Sequence, residues 1–298
     1  SFLYSTLLYS ARFISVYLLS VLWELSLIME WRRLCAGIVG GVVGGLSVAL
    51  AYHYWTRPVR WPRRIILVRH GESEGNVNDS AYVQTPDNLI SLTDLGRQQA
   101  RDAGKEIKAI VGKESVIFYC SPFLRAKQTY REILQGGSFG ENVKEYKEEP
   151  RLRELEFGYL QDPDIMRESW HQRSIVGRFF YRFNGGESAA DVYDRVTAFL
   201  ETLHRSFCNT SHRHDNIVLV SHGLTLRLFL MRYFKWPVAV FERTHNFSNA
   251  EICVLECFYK QDGKQAYRVC LAPKFMTDEP ALKLTEHGFP RNEYDDTS

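Results

Sequence analysis

"IILVRHGESEGN", Ile65 to Asn76, runs from four apolar residues straight into Arg69, His70, Gly71 and Glu72 with no spacer. A continuous apolar run of this kind fits a strand buried on both faces, as in parallel sheets. A charged pair at the end of such a strand is either a surface turn or a reactive group delivered to a fixed place. Two later stretches repeat the pattern. "VIFYCSPFLRAKQT", from Val116, leaves an apolar run at Ser121 and reaches Arg125. "IVLVSHGLTLR", from Ile217, leaves another at Ser221 and His222. Ligands of α/β sheets bind beyond the carboxyl ends of the strands, so these three ends mark one candidate site.

The segments between them alternate in type. Strands are predicted at Arg64–Val68, Val116–Tyr119, Val143–Tyr146 and Ile217–Val220. "SLTDLGRQQARDAGKEIKAIV", from Ser91, predicts a helix with Thr93 as N-cap and Ala100, Ala103, Ile107 and Ile110 on its apolar face. Pro122 suits the first turn of a second helix. Residues 188–207 predict another, with Val192, Val196, Phe199 and Leu203 on one face, and "SHGLTLRLFLMRYF" opens a further one. Ile252–Phe258 and Ala266–Leu271 alternate around "KQDGK", a hairpin signal. The expected fold is a three-layer α/β/α sandwich with a mainly parallel central sheet over residues 63–272, preceded by a transmembrane helix and followed by a polar, acidic tail over residues 273–298.

The transmembrane expectation rests on Leu34–Thr56. This run of about 23 residues holds no Asp, Glu, Lys or Arg, enough for a helix to cross a ~30 Å hydrocarbon core. Trp31, Tyr52, Tyr54 and Trp55 stand where interface anchors belong. Arg32 and Arg33 flank one side and Arg57, Arg60, Arg63 and Arg64 the other, which favours the carboxyl-terminal domain in the cytosol of a single-pass protein. Mitochondrial and endoplasmic reticulum membranes both fit. Gly37, Gly41 and Gly45 offer a smooth face to a second helix, as in a homodimer, although glycine is common in such helices anyway. Residues 1–62 are read as this anchor region plus a basic linker. Ser1 precedes the first methionine, Met29; either residues 1–28 are translated upstream sequence or the chain is a fragment of a longer membrane region, the first being preferred.

The 298 residues are 45% hydrophobic and 24% charged, with a formal net charge of +2. That charge argues against a nucleic-acid binder. The six cysteines form no CxxC pair, so buried free thiols in a reducing compartment are expected. His212 and His214 share a polar loop without Cys or Glu at ligand spacing, so no metal site is expected there. Phe179, Phe180, Tyr181 and Phe183 either line a pocket or pack a flap. Sequons occur at Asn78, Asn209 and Asn246, and would stay bare in the cytosol.

Two histidines and two arginines at one sheet edge fit a pocket for a doubly charged oxyanion. Arginine forks match phosphate oxygens, and a neutral imidazole can attack phosphorus in line. A carboxylic acid nearby would protonate the leaving oxygen.

"RHGESEGN" resembles the signature of the histidine phosphatase, or phosphoglycerate mutase-like, superfamily. The resemblance continues, in family order, through "SLTDLGRQQA", "SPFLRAKQT", "RLRELEFGYL", "GGESAADVYDRV" and "VSHGLTLR", and is greatest to the plant and fungal members. It implies a phosphohistidine mechanism without metal or cofactor, acting on a phosphorylated small molecule or phosphoprotein. By position, His70 matches the nucleophile, Arg69 and Arg125 the phosphate-binding arginines, and His222 the second histidine. Asn76 matches a phosphate- or substrate-contacting residue, and Glu154 the proton donor, with Glu156 a weaker candidate. Gly75 stands where glycolytic mutases carry Trp, Leu224 where they carry Asn, and no basic segment that grips a carboxylate is found between Leu160 and Arg182. These departures favour net hydrolysis by a membrane-anchored phosphomonoesterase over a phosphoglycerate-type mutase or a non-catalytic phosphoprotein-binding module.

Overall fold

The computed structural model describes residues 61–78, 80–158, 163–208 and 214–271, all within the unit Val59–Ser298. The expected membrane helix at 34–56, its glycine face and the acidic tail lie outside them. Among the described residues no helix is long and apolar enough to cross a membrane.

Six strands form one sheet: β1 (Arg64–Arg69), β2 (Val116–Cys120), β3 (Val143–Glu148), β4 (Asn216–Ser221), β5 (Ile252–Tyr259) and β6 (Gln265–Leu271), in the order β3-β2-β4-β1-β5-β6. The first four are parallel; β5 and β6 run antiparallel at one edge. The mainly parallel sheet is therefore as expected, with a mixed edge. Among the described residues the helices longer than one turn are α1 (Asp94–Val111), α2 (Leu124–Gly137), α3 (Pro163–Val176), α4 (Ala189–Cys208), α5 (Gly223–Phe234) and α6 (Val238–Arg243).

Alternation along β1 makes the layers. Ile66 and Val68 join Ile107 of α1 and Ile133 of α2 in one buried cluster. Ile65 and Leu67 point the other way, into a larger cluster with Val192, Val196 and Phe199 of α4 and Leu226 and Phe229 of α5. β1 and β4 are covered on both faces, which is why their sequences read as unbroken apolar runs. β3, at the edge, alternates instead as VKEYKE. Burial of apolar surface on both sides of one sheet is the main stabilising contribution to this domain.

Thr93 caps α1 as expected, its side chain accepting from Gly96 N. Pro122 falls two residues before the helix it was expected to open: Phe123 is the N-cap of α2 and Leu124 its first residue. A proline biases the residue before it toward extended backbone, so it shapes the approach rather than the first turn. Neither α3 nor α6 was expected. The apolar pattern of α3, PDIMRESWHQRSIV, is weak and it buries little of its surface. Cys120 and Cys253 are buried free thiols, Cys257 is half-buried and Cys270 exposed; burial pushes the Cys120 thiol up to about 12, so it stays protonated and unreactive.

Candidate active site

The ends of β2, β4 and β1 lie side by side in register, with Cys120 opposite Val220 and Val220 opposite Val68. The ladder carries one step further: His70 N donates to Ser221 O at 2.9 Å and Ser121 N to Val220 O at 2.9 Å. His70, Ser121 and His222 are thus levelled at one edge by the sheet itself. The rings of His70 and His222 stand 5.2 Å apart. His70 is 3% and His222 0% exposed.

His70 Nδ1 lies 2.7 Å from Gly71 O. A carbonyl only accepts, so Nδ1 carries the proton and Nε2 keeps its lone pair. Burial first, then the charges of Arg125 and Arg69, hold this imidazole well below its ordinary pKa of 6.5. It is a neutral ring with one fixed basic nitrogen. The same Gly71 gives its N–H to Thr129 Oγ1 at 3.0 Å, which in turn donates to Arg125 O at 2.7 Å. A side chain at Gly71 would meet Gly96 O at 2.3 Å, and one at Gly96 would meet Glu72 O at 1.9 Å. The motif "LTDLG" therefore places bare backbone against the loop that holds His70.

His222 Nε2 bonds Ser121 Oγ at 2.7 Å. Phe123 N donates to that same oxygen at 3.3 Å, and with the hydroxyl proton turned to Nε2 the ring proton sits on Nδ1. Nδ1 is buried and has no hydrogen-bond partner among the described residues. Burial, then Arg125, hold His222 well below its ordinary pKa.

Arg125, 3% exposed, donates through Nη1 to Asp87 O at 2.6 Å and Asp87 Oδ1 at 2.8 Å and lies 5.0 Å from the Phe123 ring. Arg69 donates to Phe247 O, while its Nε is buried without a partner. Burial lowers the Arg69 pKa; Glu154 opposes that and Arg125 adds to it. Two guanidinium groups flanking a neutral imidazole form a concentrated positive field suited to an oxyanion.

Glu154 arrives on a loop. Its Oε1 accepts from Leu155 N at 3.0 Å and from Thr225 Oγ1 at 3.3 Å. Burial raises its carboxyl pKa; the Leu155 N–H and Arg125 counteract. Arg195 of α4 grips this loop. Its Nη1 donates to Arg151 O at 2.6 Å and Arg153 O at 2.9 Å, and its Nη2 to Glu154 O at 3.0 Å. Its other donors meet Glu187, both at 3.1 Å. Glu187 closes the brace by accepting from Glu156 N at 3.1 Å and Arg153 Nη2 at 2.5 Å. Glu156, by contrast, has an exposed side chain.

Arg69 and Arg125 are thus brought within electrostatic reach of His70, His222 and Glu154 alike. Asn76 is exposed on a helical turn after β1. Its Oδ1 accepts from Ser73 N at 3.1 Å and Ser73 Oγ at 3.0 Å, which leaves its amide N–H groups as donors. The supporting residues Ser121, Asp87, Glu187 and Arg195 were not assigned from sequence. Glu187 and Arg195 share the motif "GGESAADVYDRV", so the signal was present without a partner to decode it. His214 Nε2 lies 3.7 Å from Glu145. Among the described residues no group of His, Cys, Asp and Glu is arranged to hold a metal ion.

"Phosphoglycerate mutase-like protein AT74H" of Arabidopsis thaliana is 49% identical over 209 residues, covering 65% of this chain and 74% of that protein. "Broad-range acid phosphatase DET1" of Saccharomyces cerevisiae is 31% identical over 285 residues, covering 65% of this chain and 85% of that protein. A mycobacterial glucosyl-3-phosphoglycerate phosphatase shares the fold at 22% identity, with a TM-score of 0.54 over 71% of this chain and 99% of that one. The sequence profile of the histidine phosphatase superfamily (branch 1) matches residues 65–269, and the chain belongs to that superfamily.

Proposed function

We propose that the chain is a phosphomonoesterase that acts through phospho-His70. The observation that carries this is the state of His70: a buried, neutral imidazole whose Nδ1–H is tied to Gly71 O, leaving Nε2 with its lone pair in the field of Arg69 and Arg125. Nε2 attacks phosphorus in line and the ester oxygen leaves. Arg69, Arg125 and the Nδ1–H of His222 bind the equatorial oxygens, where charge develops. Asn76 supplies a further amide donor at the rim. Glu154, with its raised pKa, protonates the leaving oxygen and then takes a proton from the water that releases phosphate. Glu156 is a poorer candidate because its side chain is exposed and no hydrogen bond among the described residues holds its carboxyl toward the strand ends. Phosphatase names among the relatives support hydrolysis.

Substrate labelled in the phosphoryl group, quenched in alkali during turnover, should leave acid-labile phosphate on the protein. His70→Ala should lose both label and turnover. Full turnover in that variant sinks the proposal. Tethering through residues 34–56 with the domain in the cytosol is proposed from the sequence alone. Carbonate-resistant membrane association combined with protease accessibility of the domain tests it, and a glycosidase-sensitive mass shift would reverse the orientation.

A further inference from the structure

Beside the strand-end site lies a cleft of about 390 Å³, within the size range of small-molecule sites. Tyr82, Phe123 and Phe157 wall it; Asp87, Glu154 and Glu156 line it, with Arg153. Its charges are uneven. Arg153 is bound to Glu187 at 2.5 Å, and Asp87 to Arg125 at 2.8 Å. Glu154 is the acid of the proposed reaction and is held by Leu155 N and Thr225 Oγ1, which leaves the exposed carboxyl group of Glu156. Glu156 is fixed at the rim by its backbone, which donates to Glu187 Oε2 at 3.1 Å and accepts from Glu187 N at 2.8 Å. Arg173 and Arg227 also lie within electrostatic range of Glu154, but Arg227 is 3% exposed and Arg173 lies across the rings of Trp170 and Phe183 at 5.2 and 5.7 Å. Neither lines the cleft.

Tyr82 owes its position to Gly75. A Cβ at Gly75 would meet the Tyr82 ring at 2.7 Å, so any side chain there moves the ring. The missing side chain and the aromatic wall are one device.

Resting on the phosphomonoesterase proposal, we infer that this cleft selects esters whose leaving group is apolar and carries no negative charge. Arg69 and Arg125 stand at His70 and are needed for the phosphoryl group, and the cation that lines the cleft, Arg153, is held by Glu187 at 2.5 Å. The leaving-group side offers ring faces, which carry negative quadrupole density, and the exposed carboxylate of Glu156, which repels a second anion.

Phenyl phosphate and 4-carboxyphenyl phosphate share a shape and differ by one carboxylate, so kcat/KM of the full chain on the two reads the inference directly. The phenyl ester should be favoured by at least about tenfold, since a like charge across a few ångströms near a protein surface is worth that much. Glu156→Lys should shrink the ratio severalfold, and Tyr82→Ala should raise KM for the phenyl ester. Equal or better hydrolysis of the carboxylated ester overturns the inference, as does an unchanged ratio in Glu156→Lys. Loss of the phosphoenzyme proposal would show differently, as turnover of either ester surviving His70→Ala.

Discussion

The strand-end layer around His70 and the loop wall around Glu154 are built by different means. His70, Ser121 and His222 are set by three strands in register and are almost entirely buried. Glu154 sits on irregular backbone, half-buried, and is held by one guanidinium from a distant helix. In the proposed reaction the first region serves the phosphoryl group, common to every substrate. The second serves the leaving group, where substrates differ. A rigid layer thus carries the shared chemistry and an adjustable wall carries the choice, as expected where loops hold specificity on a fixed scaffold.

That division can be broken by experiment. Glu154→Gln should cost about 10²- to 10⁴-fold on alkyl phosphates and far less on aryl esters whose leaving group needs no proton. An equal loss on both would remove Glu154 from the leaving-group side. The same variant sharpens the pH profile. His70 is held well below 6.5, so the limb on which it becomes protonated, and activity is lost as pH falls, lies below that value. Glu154 is raised above 4.5, so activity falls as pH rises through its pKa. Turnover of alkyl esters should peak on the acid side of neutral, and Glu154→Gln should abolish the falling limb. A limb for His70 centred above 6.5 would contradict the neutral, buried imidazole.

Arg125→Ala belongs to the other region and should lower kcat/KM by about 10²- to 10³-fold on every ester alike. A leaving-group-dependent loss would blur the division. Arg195→Lys keeps the charge but not the fork that spans three carbonyls. It should lower kcat by roughly tenfold on alkyl esters with KM nearly unchanged, reproducing the selectivity of Glu154→Gln in miniature. A loss shared equally by aryl esters would make Arg195 merely structural. The smallest effect on chemistry is expected from Gly96→Ala. Its Cβ would stand 1.9 Å from Glu72 O, so the cost should appear as about 1–3 kcal/mol of stability, read as a lowered Tm with the leaving-group selectivity intact.

The strand-end layer was legible in the sequence because buried parallel strands write themselves as apolar runs, and the residues after them are placed by the ladder. Arg69, His70, Arg125 and His222 could be collected in that way. The loop wall could not. Glu154 was reached by resemblance, and nothing local distinguishes it from Glu156; only the Leu155 N–H and the Thr225 hydroxyl on Glu154 Oε1 separate a held carboxyl from an exposed one. Tyr82 and Gly75 show the same limit, since a glycine seven residues before a tyrosine carries no periodic signal. Helix α3 escaped notice because its weak apolar pattern pins it to little of the core.

The alignment of β2, β4 and β1 has one more consequence. Side chains on a strand alternate with period two, so a slip of one residue would turn each apolar stripe to the wrong layer. The same slip would displace His70 from His222 by one step along the sheet, about 3.3 Å, and dissolve the pair. Core burial and the spacing of the two imidazoles are therefore read from a single register. Molecules with misaligned strands lose both at once, and specific activity becomes a count of correctly paired chains.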